Sequence, residues 1–213
     1  MTGQEAMSFS PKKWEVKVSL SNGTQWKAEH DGLGRRLVVS TYDVSAHVVA
    51  SSATKESKSL YDPEVEFLEI GTWEDGVKWA KVHGPDGDSS YGAQQGIGGL
   101  EAIMKYTSSG LSPPDAISYP LLDAYGHVAA WVDTTNEVAD FSAATRNLAY
   151  GPAPGEEAPN YDESASDYEV AHSWQGRRTD FTGFIWMGAR VYAPDSGRFL
   201  SADPLGHLSL IHI

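Results

Sequence analysis

The stretch Gly188-Ala189-Arg190-Val191-Tyr192-Ala193-Pro194-Asp195-Ser196-Gly197-Arg198-Phe199-Leu200-Ser201-Ala202-Asp203-Pro204-Leu205-Gly206 decides how the rest of the chain is read. Arg190-Val191-Tyr192 reads as a short strand, and Pro194-Asp195-Ser196-Gly197 as a tight turn. Arg198-Phe199-Leu200-Ser201 returns as a second strand, and Asp203-Pro204-Leu205-Gly206 turns again. Proline near the start of each turn presets φ, and glycine near the end supplies the left-handed conformation. Alternation puts Arg190 and Tyr192 on one face, with Arg198 and Phe199 on opposite faces of the returning strand. Phe199 is therefore expected to be buried and Gly197 to take a positive φ.

Outward from this hairpin the same grammar recurs. The chain holds 21 Gly, 11 Pro, 7 Trp and 10 Tyr, and apolar stripes with helical spacing are few. That balance predicts short strands punctuated by turns. Trp14 to Leu20 alternates cleanly, Ser21-Asn22-Gly23-Thr24 supplies an Asn-Gly turn, and Gln25 begins the return. Asp31-Gly32-Leu33-Gly34 opens the β-rich run Arg35 to Tyr42. Asp123-Ala124-Tyr125-Gly126 leads into His127 to Asp133, and Thr134 to Glu137 turns into Val138-Ala139-Asp140-Phe141. These units form a degenerate repeat, and no single hairpin buries its own apolar face, so successive units must stack. Three stretches break the pattern: Ser51 to Ser59 reads as an exposed loop, Pro85 to Leu100 as a turn-rich connection, and Gly151 to Glu169 as an acidic, proline-rich surface loop. Glu101 to Tyr106 reads as one helical turn.

A chain of 213 residues is long enough for a sizeable core. Its formal charge of −13 opposes a nucleic-acid backbone as partner, which requires a basic surface. Without cysteine there is neither a disulfide nor a thiolate metal site. Met1 to Ser10 lacks the basic and apolar regions of a signal peptide, and no apolar run is long enough to span a bilayer.

The terminal stretch closely resembles the signature near the end of the core of Rhs/YD-repeat proteins, which are large bacterial surface and secreted toxin proteins. Weaker matches precede it in the family's order. His30-Asp31-Gly32-Leu33-Gly34-Arg35-Arg36-Leu37 follows the YD pattern with His30 where Tyr is usual. Val82 to Gly87, Tyr91 to Leu100, Asp123 to Val128, Tyr150 to Glu156 and Thr182 to Gly188 resemble further stretches of such cores. The resemblance implies a mainly β chain of irregular antiparallel hairpin repeats, forming part of a spiralling YD-repeat shell. Its signature residues are Gly188, Arg190, Tyr192, Pro194, Gly197, Arg198, Phe199, Asp203, Pro204 and Gly206. The expected organisation is an N-terminal hairpin at 1–27, YD-like hairpins at 28–150, the acidic loop at 151–177, the signature hairpin at 178–207 and a tail at 208–213. That tail is unlike the family's continuation, and with Ala193 replacing the usual Asp it marks a departure, so the sequence is expected to be a fragment or truncated frame. The implied role is a non-enzymatic structural segment that encloses and delivers a C-terminal toxin in bacterial competition. The implied partners are the remainder of the shell, the encapsulated toxin and a secretion apparatus, with no nucleic acid and no membrane span. The implied location is secreted or on the cell surface as part of a larger protein.

Candidate chemistry is sparse. Family cores cleave themselves with carboxylates near a second Asp-Pro-x-Gly turn, but Asp203 stands in the first, and one carboxylate does not make a proton-sharing pair. The seven histidines show no metal-binding spacing. Pro85-Asp86-Gly87-Asp88-Ser89 lacks the calcium-loop register. Gly96-Ile97-Gly98-Gly99 lacks the lysine of a phosphate loop, and Ser108, Ser109 and Ser112 lack a nucleophile elbow. No catalytic, cofactor or metal residue is assigned. Trp131, Trp174 and Trp186 are expected to fill the core. As an exposed platform they would instead support a cell-surface carbohydrate-binding or adhesion module. Arg35, Arg190 and Arg198 are expected to be half-buried and to pair with turn carboxylates such as Asp31 and Asp195.

Overall fold

The computed structural model describes residues 15–19, 23–65, 67–74, 76–85, 99–107, 113–134, 139–140, 147–148, 151–152, 168, 171–179, 184–187 and 190–200. Its main body is one antiparallel sheet laid down in chain order: β1 (Glu15–Ser19), β2 (Thr24–His30), β3 (Arg36–Ser45), β5 (Lys55–Tyr61), β6 (Glu69–Glu74), β7 (Val77–His83), β8 (Leu100–Tyr106), β9 (Ala116–Leu122), β10 (Val128–Asp133) and β11 (Ala139–Asp140). A short β4 (Val48–Val49) pairs only with β3. The expected mainly β, hairpin-built architecture is what forms. The expected division after residue 27 falls inside β2, which pairs β1 on one side and β3 on the other.

Two readings are corrected. Glu101 to Tyr106 is not a helical turn. Leu100 to Tyr106 is strand β8, bonded to β7 and β9, with Leu100, Ala102 and Ile103 all buried. Pairing on both sides satisfies its backbone and overrides the weak local helix preference of Glu-Ala-Ile-Met-Lys. Ser51 to Ser59 is only half loop. Lys55 to Tyr61 is β5, paired with β3 and β6, and its central Ser57 is buried. A serine-lysine strand carries no apolar alternation by which to be recognised.

The degenerate repeat has a definite physical form. In two of the turns at one end of the sheet an aspartate organises five residues in the same way. Asp31 Oδ1 accepts the amides of Leu33 and Arg35, both at 2.9 Å. Asp123 Oδ1 accepts those of Tyr125 and His127 at 2.8 and 3.0 Å. Gly34 and Gly126 donate to the aspartate carbonyls at 3.0 and 3.1 Å, with φ of 81° and 77° that a side chain would resist. Asp62 makes a third version, accepting from Glu64 and Val65.

After each turn or loop at this end, the returning strand carries one extra residue. The extra residue is Leu37 in β3, Ile70 in β6, Glu101 in β8 and Ala129 in β10, in each case the strand's second position. Such a bulge resets the alternation. It turns the first residue of each strand (Arg36, Glu69, Leu100, Val128) onto the same face as the core residues that follow.

That face is covered by later parts of the chain. Trp79, Leu100, Ile103, Val128 and Trp131 from the sheet cluster with Tyr168 and Ala171. Trp26, Ala28 and Val39 pack under Trp186. Trp174, Ile185 and Tyr192 form a third cluster. Two small sheets belong to this cover: β12 (Asn147–Leu148) with β13 (Gly151–Pro152), and β14 (Ile185–Met187), β15 (Arg190–Ala193) and β16 (Arg198–Phe199) in that order. Of the acidic loop expected at 151–177, only Gly151, Pro152, Tyr168 and residues 171–177 are described, and 171–177 are not an exposed loop, since Ala171 to Trp174 are buried against the sheet; the tail at 208–213 lies outside the described residues.

Candidate functional site

The hairpin of the signature stretch forms, with a returning strand of Arg198–Phe199 alone where Arg198 to Ser201 was expected. Tyr192 pairs with Phe199 and Ala193 with Arg198 across β15 and β16. Pro194 to Ser196 makes a single 3-10 turn, closed by Gly197 at φ 60° with its amide 3.1 Å from the Pro194 carbonyl. Arg190, Tyr192 and Phe199 share one face: the Phe199 ring meets Tyr192 edge-on at 5.3 Å, and the Arg190 guanidinium lies 3.8 Å above it. Phe199 is only half-buried, because a cation rather than an apolar layer covers its second side. Arg198 is exposed, not half-buried, since it points away from that face. Arg35 does pair with Asp31, at 2.7 Å. Gly188, Asp203, Pro204, Gly206 and the Asp195 side chain lie outside the described residues.

Trp131, Trp174 and Trp186 are packed inside, while Trp73 is exposed. Trp131 and Trp174 are 6% and 5% exposed, and Trp186 is partly buried between Trp26 and the Arg36 guanidinium, 4.1 Å from its ring. They do not offer a stacking platform to a sugar.

A polar cluster that sequence reading did not assign sits between the sheet and residues 168–179. Glu69, turned inward by the bulge at Ile70, accepts Lys81 Nζ at 2.5 Å, Arg178 Nη2 at 3.1 Å and Ser59 Oγ at 2.6 Å. The Lys81 and Arg178 side chains are 6% and 5% exposed. Burial alone would raise the Glu69 carboxyl, but Arg178, Lys81 and Arg36 outweigh it and hold the group well below the usual carboxylate range. Burial pushes the Lys81 ammonium down to about 8, with Glu69 opposing. Burial likewise pushes the Tyr61 hydroxyl, reinforced by Glu69, up to about 12.

The segment 171–179 is a strap laid across the sheet. Its Thr179 amide donates to the Ala171 carbonyl at 2.8 Å, and its Ser173 carbonyl accepts the Val128 amide at 2.9 Å. Tyr168 stacks on Trp79 at 4.5 Å, and Trp174 on Tyr192 at 5.3 Å. His172 is fully buried and donates from Nδ1 to the Tyr168 carbonyl at 3.1 Å. Burial, reinforced by Lys81 and Arg178, holds its pKa well below the ordinary histidine value. His127 accepts the Gln175 amide on Nδ1 at 3.0 Å, and its pKa is lowered by burial against the pull of Asp123.

The signal for Lys81 was present in the sequence, since it shares the strand parity of Trp79. Glu69 had none, because its face depends on a bulge. Chemically the cluster is a charge tether: one carboxylate is shared by two buried cations, and its lone pairs are occupied. Among the described residues no three metal-ligating side chains come together, and no helix is long and apolar enough to cross a membrane.

No family model and no curated protein matches the sequence. Solved structures do match. The chain superposes on the crystal structure of TcdB2–TccC3–Cdc42 with a TM-score of 0.55 and 16% identity, covering 94% of this chain and 9% of that one. Against TcdB2–TccC3 without its hypervariable C-terminal region the TM-score is 0.52, again with 16% identity, 94% and 9%. The Photorhabdus luminescens Tc holotoxin pore carrying a TccC3 point mutation gives 0.50 with 14% identity, 95% and 9%. The chain thus shares the fold of one portion of these toxin-complex chains, and spans less than a tenth of their length.

Proposed function

We propose that this chain is a non-enzymatic wall segment of an Rhs/YD-repeat shell, which encloses and delivers a C-terminal toxin in bacterial competition. The observation that carries the reading is the sheet itself: strands laid side by side in chain order, a bulge after each return at one end with an aspartate organising three of those turns, and the whole sharing its fold with TcdB2–TccC3. A wall needs no catalytic group, and the buried charges here are engaged in holding the chain to itself. Its partners are the rest of the shell, the enclosed toxin and the apparatus that secretes the assembly, and its place of action is outside the producing cell. A carbohydrate-binding reading loses its footing with Trp131 and Trp174 in the core.

The test uses the secreted polypeptide that carries this sequence. Its C-terminal passenger is expected to survive protease that digests the free passenger. Deleting residues 15–140 is expected to abolish killing of competitors while the isolated passenger keeps its toxicity. A passenger digested as fast inside the polypeptide as outside it, or a deletion strain that competes as well as its parent, would overturn the proposal.

A further inference from the structure

Two histidines lie at the strap, and the surroundings of each disfavour a second proton, for different reasons. His127 Nδ1 is the acceptor for the Gln175 amide, and a protonated Nδ1 has no lone pair to offer. His172 uses Nδ1 to donate to the Tyr168 carbonyl, which leaves Nε2 as the unprotonated nitrogen, buried and without a hydrogen-bond partner. A proton added there would have no acceptor. It would also sit among Lys81 from β7 and Arg178 from the strap, with Glu69 of β6 already shared between those two cations and the Tyr168 ring 5.0 Å away. Around His127 the charged neighbour is Asp123, whose carboxylate accepts the His127 amide, and the Tyr125 and Trp174 rings flank it. The strap between the two histidines is strained as well: Gln175, a non-glycine residue, is held at φ 53°.

We infer that residues 171–179 are an acid-released strap: protonation of His127 and His172 detaches it and bares the sheet face carrying Trp79, Trp131 and Val128, while the sheet stays paired. Releasing His127 removes the bond that fixes Gln175, and the strained backbone relaxes. Charging His172 adds another buried cation beside Lys81 and Arg178, a cost relieved by moving the segment into water. The device is independent of the shell reading, because it requires only this chain.

Hydrogen exchange on the full chain, corrected for intrinsic chemistry, reads the release directly. As pH falls from about 7.5 to about 5, the opening constant of the strap amides should rise at least about tenfold while those of β7 to β9 hold, with a slope approaching two per pH unit only below about 6.5, where the opened histidines take up two protons. His127→Asn and His172→Asn keep the acceptor and the donor at the Nδ1 position without titrating. Combined, they should leave the strap closed across the range. Should the double variant fail to fold, His127→Asn alone should halve the slope to about one. Strap and sheet losing protection together, a strap still protected at pH 5, or an unchanged slope in the foldable Asn variant would each overturn the inference.

Discussion

Asp31 and Asp123 do at the scale of single residues what the repeat needs: one carboxylate oxygen ties down two amides and fixes where the next strand begins. Asp123→Ala should cost about 1–3 kcal/mol in chemical denaturation, the loss for two charge-assisted bonds, whereas Asp123→Asn should cost less because its oxygen still accepts. Gly151 is a second point of control. It sits at φ 130°, and a Cβ there would lie 2.8 Å from Pro194 Cβ, so Gly151→Ala should lower the melting temperature more than Gly32→Ala, where nothing is within 4 Å. Phe199→Ala should cost less than the ~3–5 kcal/mol of a fully buried phenylalanine, because the ring is half-exposed under Arg190. A measured loss at or above that range would mean the ring is enclosed.

At the scale of elements, the strap and the strands under it depend on one carboxylate. Glu69→Gln removes the carboxylate that the buried Lys81 and Arg178 share, and should destabilise by about 3–5 kcal/mol, with strap amides exchanging faster than sheet amides. The Trp79–Tyr168 stack should show a coupling of about 1 kcal/mol in a double-mutant cycle. This is also where the sequence was least legible. The hairpins at Glu15–His30 and Arg190–Phe199 announce themselves through Asn-Gly and Pro-Asp-Ser-Gly turns. The hairpin of β6 and β7 and the strand β9 went unread, as Glu69-Ile70-Gly71 begins with a bulge and Tyr119-Pro120 places a proline inside a strand. A bulge exchanges inside for outside without changing composition, so Glu69 looks like any surface glutamate until its partners are in place.

Across the whole molecule, several groups tie stability to pH in one direction. His172, His83 and His127 all have folded pKa values below the ordinary histidine value, chiefly through burial, so the unfolded chain binds more protons as pH falls through about 6.5. Stability should therefore decline from there, and decline further once pH drops below the ordinary glutamate range, where unfolded Glu69 takes a proton that the folded one refuses. At the alkaline end Tyr61 works the other way: its folded pKa near 12 exceeds that of a free tyrosine, so stability is lost as pH rises from about 10 towards 12. Between these limits Lys81 adds a rise: with its folded pKa lowered to about 8, the unfolded chain holds a proton that the folded one gives up, so urea midpoints should climb from about 8 towards 10.5; a midpoint that rises on acidification below about 6.5 would contradict the histidine assignments.

Strands that neighbour one another in space are also neighbours along the chain, and that bears on how the protein is made. Each ladder from β1 to β11 closes over a local connection, the longest being the sixteen residues between β7 and β8, so the entropy lost at each addition is modest and the order of synthesis is an allowed order of assembly. Contacts that join distant parts of the sequence, such as Arg178 to Ser57 at 3.4 Å and Trp186 to Trp26, belong to the strap and the rest of the cover. A polypeptide emerging from a ribosome or a narrow export channel would add one ribbon at a time, and the cover, with the strap at 171–179 and Trp186 laid over the finished sheet, would have to wait until the whole sheet had arrived.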